Sequence, residues 1–81
     1  MKMTQNNQIS IIIPTYNESQ NIVKILKSIK ENLPTNIISQ TIVVDDNSPD
    51  GTGKIVEEYL KDFKKIADHT IEIIHRKAKD G

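Results

Sequence analysis

The sequence predicts an α/β fold, a parallel β-α-β-α-β sheet, on three observations. Short β-branched runs stand at 9–13, 41–44 and 70–74. The stretches between them repeat apolar residues at helical spacing. Pro, Asn, Asp and Gly cluster at the junctions. Strands that alternate with helices of this length pair in parallel through right-handed crossovers.

The first eight residues are polar and read as a frayed leader. Ile9, Ile11, Ile12 and Ile13 then form a strand that is apolar on both faces and stopped by Pro14. A helix is expected over 19–32, because Ile22, Ile25, Leu26, Ile29 and Leu33 fall on one stripe. Asn17 or Ser19 can cap it, and Pro34 follows its end. The second strand covers 41–44. A second helix starts near 51–53, with Ile55, Val56, Tyr59, Leu60, Phe63 and Ile66 as its inward stripe. Lys54, Glu57, Glu58, Lys61 and Lys64 face water. The third strand, 70–74, alternates less cleanly around Glu72. If the strands lie in the order 3-2-1, the isoleucine-rich first strand is an edge with the composition of a central strand, and the chain alone is expected to self-associate.

Composition narrows the function. At 81 residues the chain makes one small domain. Its formal charge is +0, which gives no electrostatic case for nucleic acid or an anionic membrane surface. The cluster of His75, Arg76, Lys77 and Lys79 reads as a solvated terminus. There is no cysteine, so disulfides and thiolate metal sites are excluded. No apolar run reaches the roughly 20 residues of a membrane span, and no signal-peptide core precedes the first strand, so the default location is cytoplasmic.

Parallel α/β sheets hold ligands beyond the carboxyl ends of their strands. That rule puts "PTYNE" (14–18) and "DDNSPDG" (45–51) on one edge. Neither glycine pattern here is a nucleotide fingerprint. Val56 occupies the third glycine position after Gly51 and Gly53, and Ile55 rather than Ser or Thr follows Gly53-Lys54. The carboxylates are more informative. Side chains alternate along a strand, so Asp45 and Asp46 divide their roles: one holds the turn and the other faces a ligand. Asp46 is the better ligand candidate. A carboxylate only accepts hydrogen bonds, which suits a base N–H edge or a sugar hydroxyl. Tyr16 adds a flat face and a hydroxyl, and Glu18 adds a further carboxylate. The plainer alternative, that Asp45, Asp46 and Asp50 cap turns and a helix, is equally open from the residues alone.

"SIIIPTYNESQNI" and "IVVDDNSPDGT" resemble the opening strand-loop and the second-strand motif of glycosyltransferase family 2. The Ser-Pro-Asp-Gly-Thr ending resembles its dolichyl-phosphate (polyprenyl-phosphate) mannosyltransferases, and "HRKAKDG" the approach to their glycine-rich loop. The resemblance implies the N-terminal, Rossmann-like part of a GT-A nucleotide-sugar-binding fold, here over 9–81. It implies mannose transfer from GDP-mannose to dolichyl or polyprenyl phosphate with inversion, using Mg²⁺ or Mn²⁺, at the cytoplasmic face of a membrane. The positions matching the family's nucleotide contacts are Pro14, Tyr16, Glu18, Val44 and Asp46, with Asp45 a further addition and Val44 acting through its backbone. The family's metal-binding Asp-x-Asp is absent from the chain. The expectation is therefore the nucleotide-binding half of an enzyme, inactive alone, with a non-catalytic nucleotide-binding module as the alternative. A receiver-like domain needs an acid at the end of the first strand, where Ile13-Pro14 stands.

Overall fold

The computed structural model describes residues 8–34, 36–63 and 68–77. In order they form β1 (Gln8–Thr15), α1 (Ile22–Asn32), β2 (Ile38–Asp45), α2 (Thr52–Asp62) and β3 (His69–His75). The three strands make one parallel sheet in the order β1-β2-β3. Each crossover steps one strand in the same direction, so a common handedness places both helices on the same face. The core agrees. Ile22 and Leu26 of α1 and Val56 of α2 are fully buried with Val43 of β2, and Ile13, Ile71 and Ile73 pack around them.

All three strands run longer than their β-branched runs suggest. β1 begins at Gln8, paired with Ile38; the rest of the expected leader lies outside the described residues, as does Ile66. β1 is also not stopped by Pro14, which pairs with Val44, while Thr15 pairs with Asp45. The Thr15 carbonyl accepts from the Asp46 amide, so Thr15 turns its backbone to β2. Pro14, one residue back, turns its missing N–H to solvent, the placement an edge strand allows. β2 begins at Ile38 rather than 41 because Ser39, although polar, is buried against β3. The Ser39 hydroxyl lies 2.6 Å from His69 Nδ1, and the Ser39 amide donates to the Asp68 carbonyl.

α1 starts three residues later than its apolar period suggests, and neither Asn17 nor Ser19 caps it; Asn21 is the N-cap residue and makes no side-chain capping bond. The amides of Asn21 and Ile22 bond instead to the Glu18 carbonyl. α2 follows its expected stripe, and Phe63 stands just past its end.

Among the described residues the second face of the sheet is bare. Its rows are Ser10–Gln40–Thr70, Ile12–Ile42–Glu72 and Pro14–Val44–Ile74. β1 is apolar on both faces as its composition reads, but this face of it is uncovered: Ile12 is 56% exposed, and Ile74 of β3 on the same face 47%. Glu72, which blurred the pattern of β3, belongs to this face and accepts from the Gln40 amide at 3.2 Å. The order β1-β2-β3 leaves β1 on an edge, as the conditional reading had it. The isolated chain is expected to show a mass by light scattering that rises with concentration. Ile12→Lys combined with Ile74→Lys should restore the monomer at an unchanged unfolding midpoint. A wild type that stays monomeric over the same range would count against this.

His69 lies on the covered face, 5% exposed, with the Phe63 ring edge-on at 5.9 Å and Lys30 over that ring. Burial pushes its pKa below the ordinary 6.5, and the Lys30 charge adds to this. Among the described residues its Nε2 has no hydrogen-bond partner that would stabilise an imidazolium. A depressed folded pKa gives a contribution that is whole above the unfolded value and is lost as pH falls through the folded one. Thermal midpoints should therefore drop as pH goes below about 6.5, and His69→Gln should flatten that slope. Parallel profiles for the two proteins would place the effect elsewhere.

Candidate functional site

At the carboxyl edge the row of paired residues is Thr15, Asp45 and His75. Asp45 is 2% exposed, on the helix-covered face in phase with Val43 and Thr41. A carboxylate so placed needs donors, and it has them. Its Oδ1 accepts from the Thr15 hydroxyl and the Ser48 hydroxyl, each at 2.6 Å, and its Oδ2 from the Ser48 amide at 3.0 Å. Burial raises its pKa, but the Ser48 and Thr15 bonds and the nearby His75 outweigh this and hold it below the ordinary 3.8.

His75 lies across the first turn of α2. Its Nε2 is 2.6 Å from a Glu57 oxygen. A Cβ on Gly53 would stand 2.7 Å from the His75 ring and 3.4 Å from Asp45, so a side chain there would displace the His75 ring.

Asp46 is exposed, and among the described residues its one ion-pair partner is Arg76, at 3.8 Å. A half-exposed pair at that distance is worth about 0–1 kcal/mol, so the carboxylate is effectively uncommitted. Alternation thus separates the two acids as the sequence suggests: Asp45 holds the turn and Asp46 faces outward. Val44 turns its side chain to the bare face, between Pro14 and Ile74. Tyr16 is 57% exposed. Glu18 is half-buried beside it.

The two loops are tied together. Three successive amides of the first loop donate to three side chains of the second: Asn17 to Ser48 Oγ at 2.9 Å, Glu18 to Thr52 Oγ1 at 2.9 Å and Ser19 to Asp50 Oδ2 at 3.0 Å. The amides at 17–19, which no helical carbonyl could satisfy, thus find acceptors in the second loop and at the start of α2. Asn17 and Asn47 take left-handed backbone angles, φ 58° and 56°, which asparagine tolerates better than most residues. Gly51, φ 86°, does the same before α2. The Thr52 hydroxyl foremost, and the Ser19 and Thr52 amides with it, pull Asp50 down to about 2.

Pro14, Tyr16, Glu18, Val44, Asp45 and Asp46 are thus gathered at one edge, but only Tyr16, Glu18 and Asp46 are free to meet a polar ligand there. Sequence reasoning missed Ser48 and Thr52, whose signal was only their place among turn residues. Both helices begin at this edge, and their positive dipole ends favour an anionic ligand. An open cleft of about 300 Å³, lined by Gln8, Ser10, Ser39, Gln40, Asp68 and Thr70, lies at the opposite, amino end. It has neither helix start nor loop pair, and the carboxyl edge is the better site. A resident Mg²⁺ or Mn²⁺ does not fit this edge. Among the described residues no group of three or more His, Asp or Glu could hold a metal, and Asp45 and Asp50 are committed to the protein's own donors.

The family model described as Glycosyl transferase family 2 matches residues 10–81. The chain is 39% identical over 70 residues to an undecaprenyl-phosphate mannosyltransferase of Micrococcus luteus, covering 86% of this chain and 26% of the relative. It is 39% identical over 72 residues to a polyprenol monophosphomannose synthase of Mycolicibacterium smegmatis, covering 88% and 24%. It is 45% identical over 53 residues to an uncharacterized protein of Methanocaldococcus jannaschii, covering 65% and 21%. The chain thus spans about a quarter of the length of these curated relatives. No solved structure matches it significantly.

Asp45→Asn puts an amide N–H₂ where donors already point. It should lower the unfolding free energy by about 1–3 kcal/mol, whereas Asp46→Asn should stay within about 0.5 kcal/mol of wild type. Denaturant titration of both variants checks this, and equal losses would contradict the division of roles.

Proposed function

The chain belongs to glycosyl transferase family 2, and from that premise we propose that its carboxyl edge is the nucleotide-binding half of a nucleotide-sugar site in a GT-A fold. The observation that carries the reading is the clamped pair of loops, which sets exposed Tyr16, half-buried Glu18 and uncommitted Asp46 on one edge beside two helix starts. Tyr16 offers a face for a base or ribose to lie on. Asp46 accepts from a base N–H or a ribose hydroxyl, and Glu18 is placed for a second such contact. Pro14 and Val44 wall the site from the bare face, and Asp45 acts through the turn it holds.

The names of the relatives support a mannosyl donor and a polyprenyl phosphate as substrates of the whole protein. We take GDP-mannose as donor, dolichyl or undecaprenyl phosphate as acceptor, and the cytoplasmic face of a membrane as the place of work. No helix among the described residues is long and apolar enough to cross a membrane. In the whole protein a divalent ion, Mg²⁺ or Mn²⁺, would offset diphosphate charge. The described residues offer it no ligand set, so no step of the transfer is assigned to it here. A non-catalytic nucleotide-binding module is the second reading, favoured by the commitment of Asp45 and Asp50 to structure.

The 81-residue chain is expected to bind GDP and GDP-mannose by titration calorimetry, and Asp46→Ala to weaken both. It should give no mannosyl transfer when mixed with GDP-mannose, Mn²⁺ and a polyprenyl phosphate. No heat at millimolar GDP would sink the nucleotide reading, and turnover by these residues alone would overturn the assignment of half a site.

A further inference from the structure

The second loop presents three acceptors in a row, Ser48 Oγ, Thr52 Oγ1 and Asp50 Oδ2, and the first loop answers with three consecutive amides. Each hydroxyl also passes a hydrogen bond on. Ser48 donates to Asp45 and Thr52 donates to Asp50, so neither oxygen is left with an idle proton. The amides of Asn17, Glu18 and Ser19 are thereby each held by an acceptor more than thirty residues away in sequence. The side chains of Tyr16 and Glu18 leave the backbone at a fixed angle to β2 and its outward Asp46. Thr52 is fully buried, Ser48 half-buried and Asp50 exposed.

We propose that Ser48, Asp50 and Thr52 are positioning residues, and that the Ser-Pro-Asp-Gly-Thr segment serves as a clamp that sets the first loop for nucleotide binding. The proposal rests on the nucleotide reading above. It gives the segment a different role from the ligand-contacting one that its resemblance invites: its side chains read the backbone of residues 17–19, not the nucleotide. Binding then depends on the clamp through preorganisation. A loop already held in place loses less conformational freedom when the ligand arrives. Asp50 is well suited to this, because a carboxylate held ionised accepts from an amide more strongly than a neutral group would.

Thr52→Val keeps the shape of the side chain and removes its hydroxyl, and Thr52→Ser restores it. Residue-resolved hydrogen exchange on the 81-residue chain should show the Glu18 amide speeding up about threefold to tenfold in Thr52→Val. The core amides of Val43 and Ile73 should keep wild-type protection. GDP affinity should weaken by about the same factor, and Thr52→Ser should bring both readouts back. Ser48→Ala, read at the Asn17 amide, repeats the test where loss of a buried hydroxyl unfolds the first variant. A role in general stability would instead speed exchange throughout the sheet, and that result overturns the clamp. So does wild-type GDP affinity in either variant. If the wild type takes up no GDP, the nucleotide reading fails and this proposal falls with it, whereas binding that ignores the loss of the hydroxyl defeats the clamp alone.

Discussion

The buried carboxylate of Asp45 is the constraint on which the rest of this small unit turns. An ionised oxygen pair under the first turn of a helix is tolerable only if donors surround it. One donor comes from the end of β1, through Thr15, and two from the loop that follows β2, through Ser48. The first fixes β1 against β2 at the very end of the ladder, where the pairing Thr15 to Asp45 closes the sheet. The others draw the second loop back over the strand end. That placement brings α2 close enough for His75 to lie on its first turn, with its ring 2.7 Å from where a Cβ on Gly53 would stand. Ser48 then passes the constraint on, since the hydroxyl that donates to Asp45 accepts from Asn17. One carboxylate so links three strand ends, two loops and a helix start.

The sheet itself is lopsided. Two crossovers in one direction put both helices on one face, and the other face keeps Ile12, Ile42, Val44 and Ile74 with nothing over them among the described residues. The loops at the carboxyl edge do not depend on that face. Their hydrogen bonds run between the loops themselves and down to the row Thr15, Asp45, His75 on the covered side. The geometry of the candidate site is accordingly set by local bonds, even though the apolar face is incomplete.

Much of this was legible in the sequence, and what was not has a physical reason. The order of elements followed from β-branched runs alternating with helical periods, because burial on one helix face and along a strand is written in spacing. The ends of the elements were not. Ser39 sits in a strand because His69, thirty residues on, takes its hydroxyl, and Pro14 sits in one because β1 is an edge. Helix α1 begins at Ile22 rather than 19, and the amides of 17–19 ahead of it bond to Ser48, Thr52 and Asp50. Each correction comes from a contact distant in sequence, which no local pattern records. The division between Asp45 and Asp46 was legible because alternation is local. The partners that make it matter, Ser48 and Thr52, looked like any other turn residues.

The same alternation explains why a strand should end in two adjacent acids at all. A single acid could not both satisfy the loop and remain available outside it. Turned inward, it is saturated, as Asp45 is by three donors. Turned outward, it has no ladder beneath it to hold the loop in place. Two successive residues at the strand end point to opposite sides by the geometry of the strand, so an Asp-Asp pair supplies a structural carboxylate and a free one with no further design. The order matters as well. The inward residue must be the earlier one, in phase with Val43 and still paired with Thr15. The outward one must come after the last pair, where the chain leaves the sheet and its side chain is no longer packed beside a neighbouring strand. Reversing the phase by one residue would bury Asp46 without Thr15 opposite it and expose Asp45 away from the first loop. The register of the sheet, and not the acids alone, is what turns one carboxylate inward and leaves the other outward at this edge.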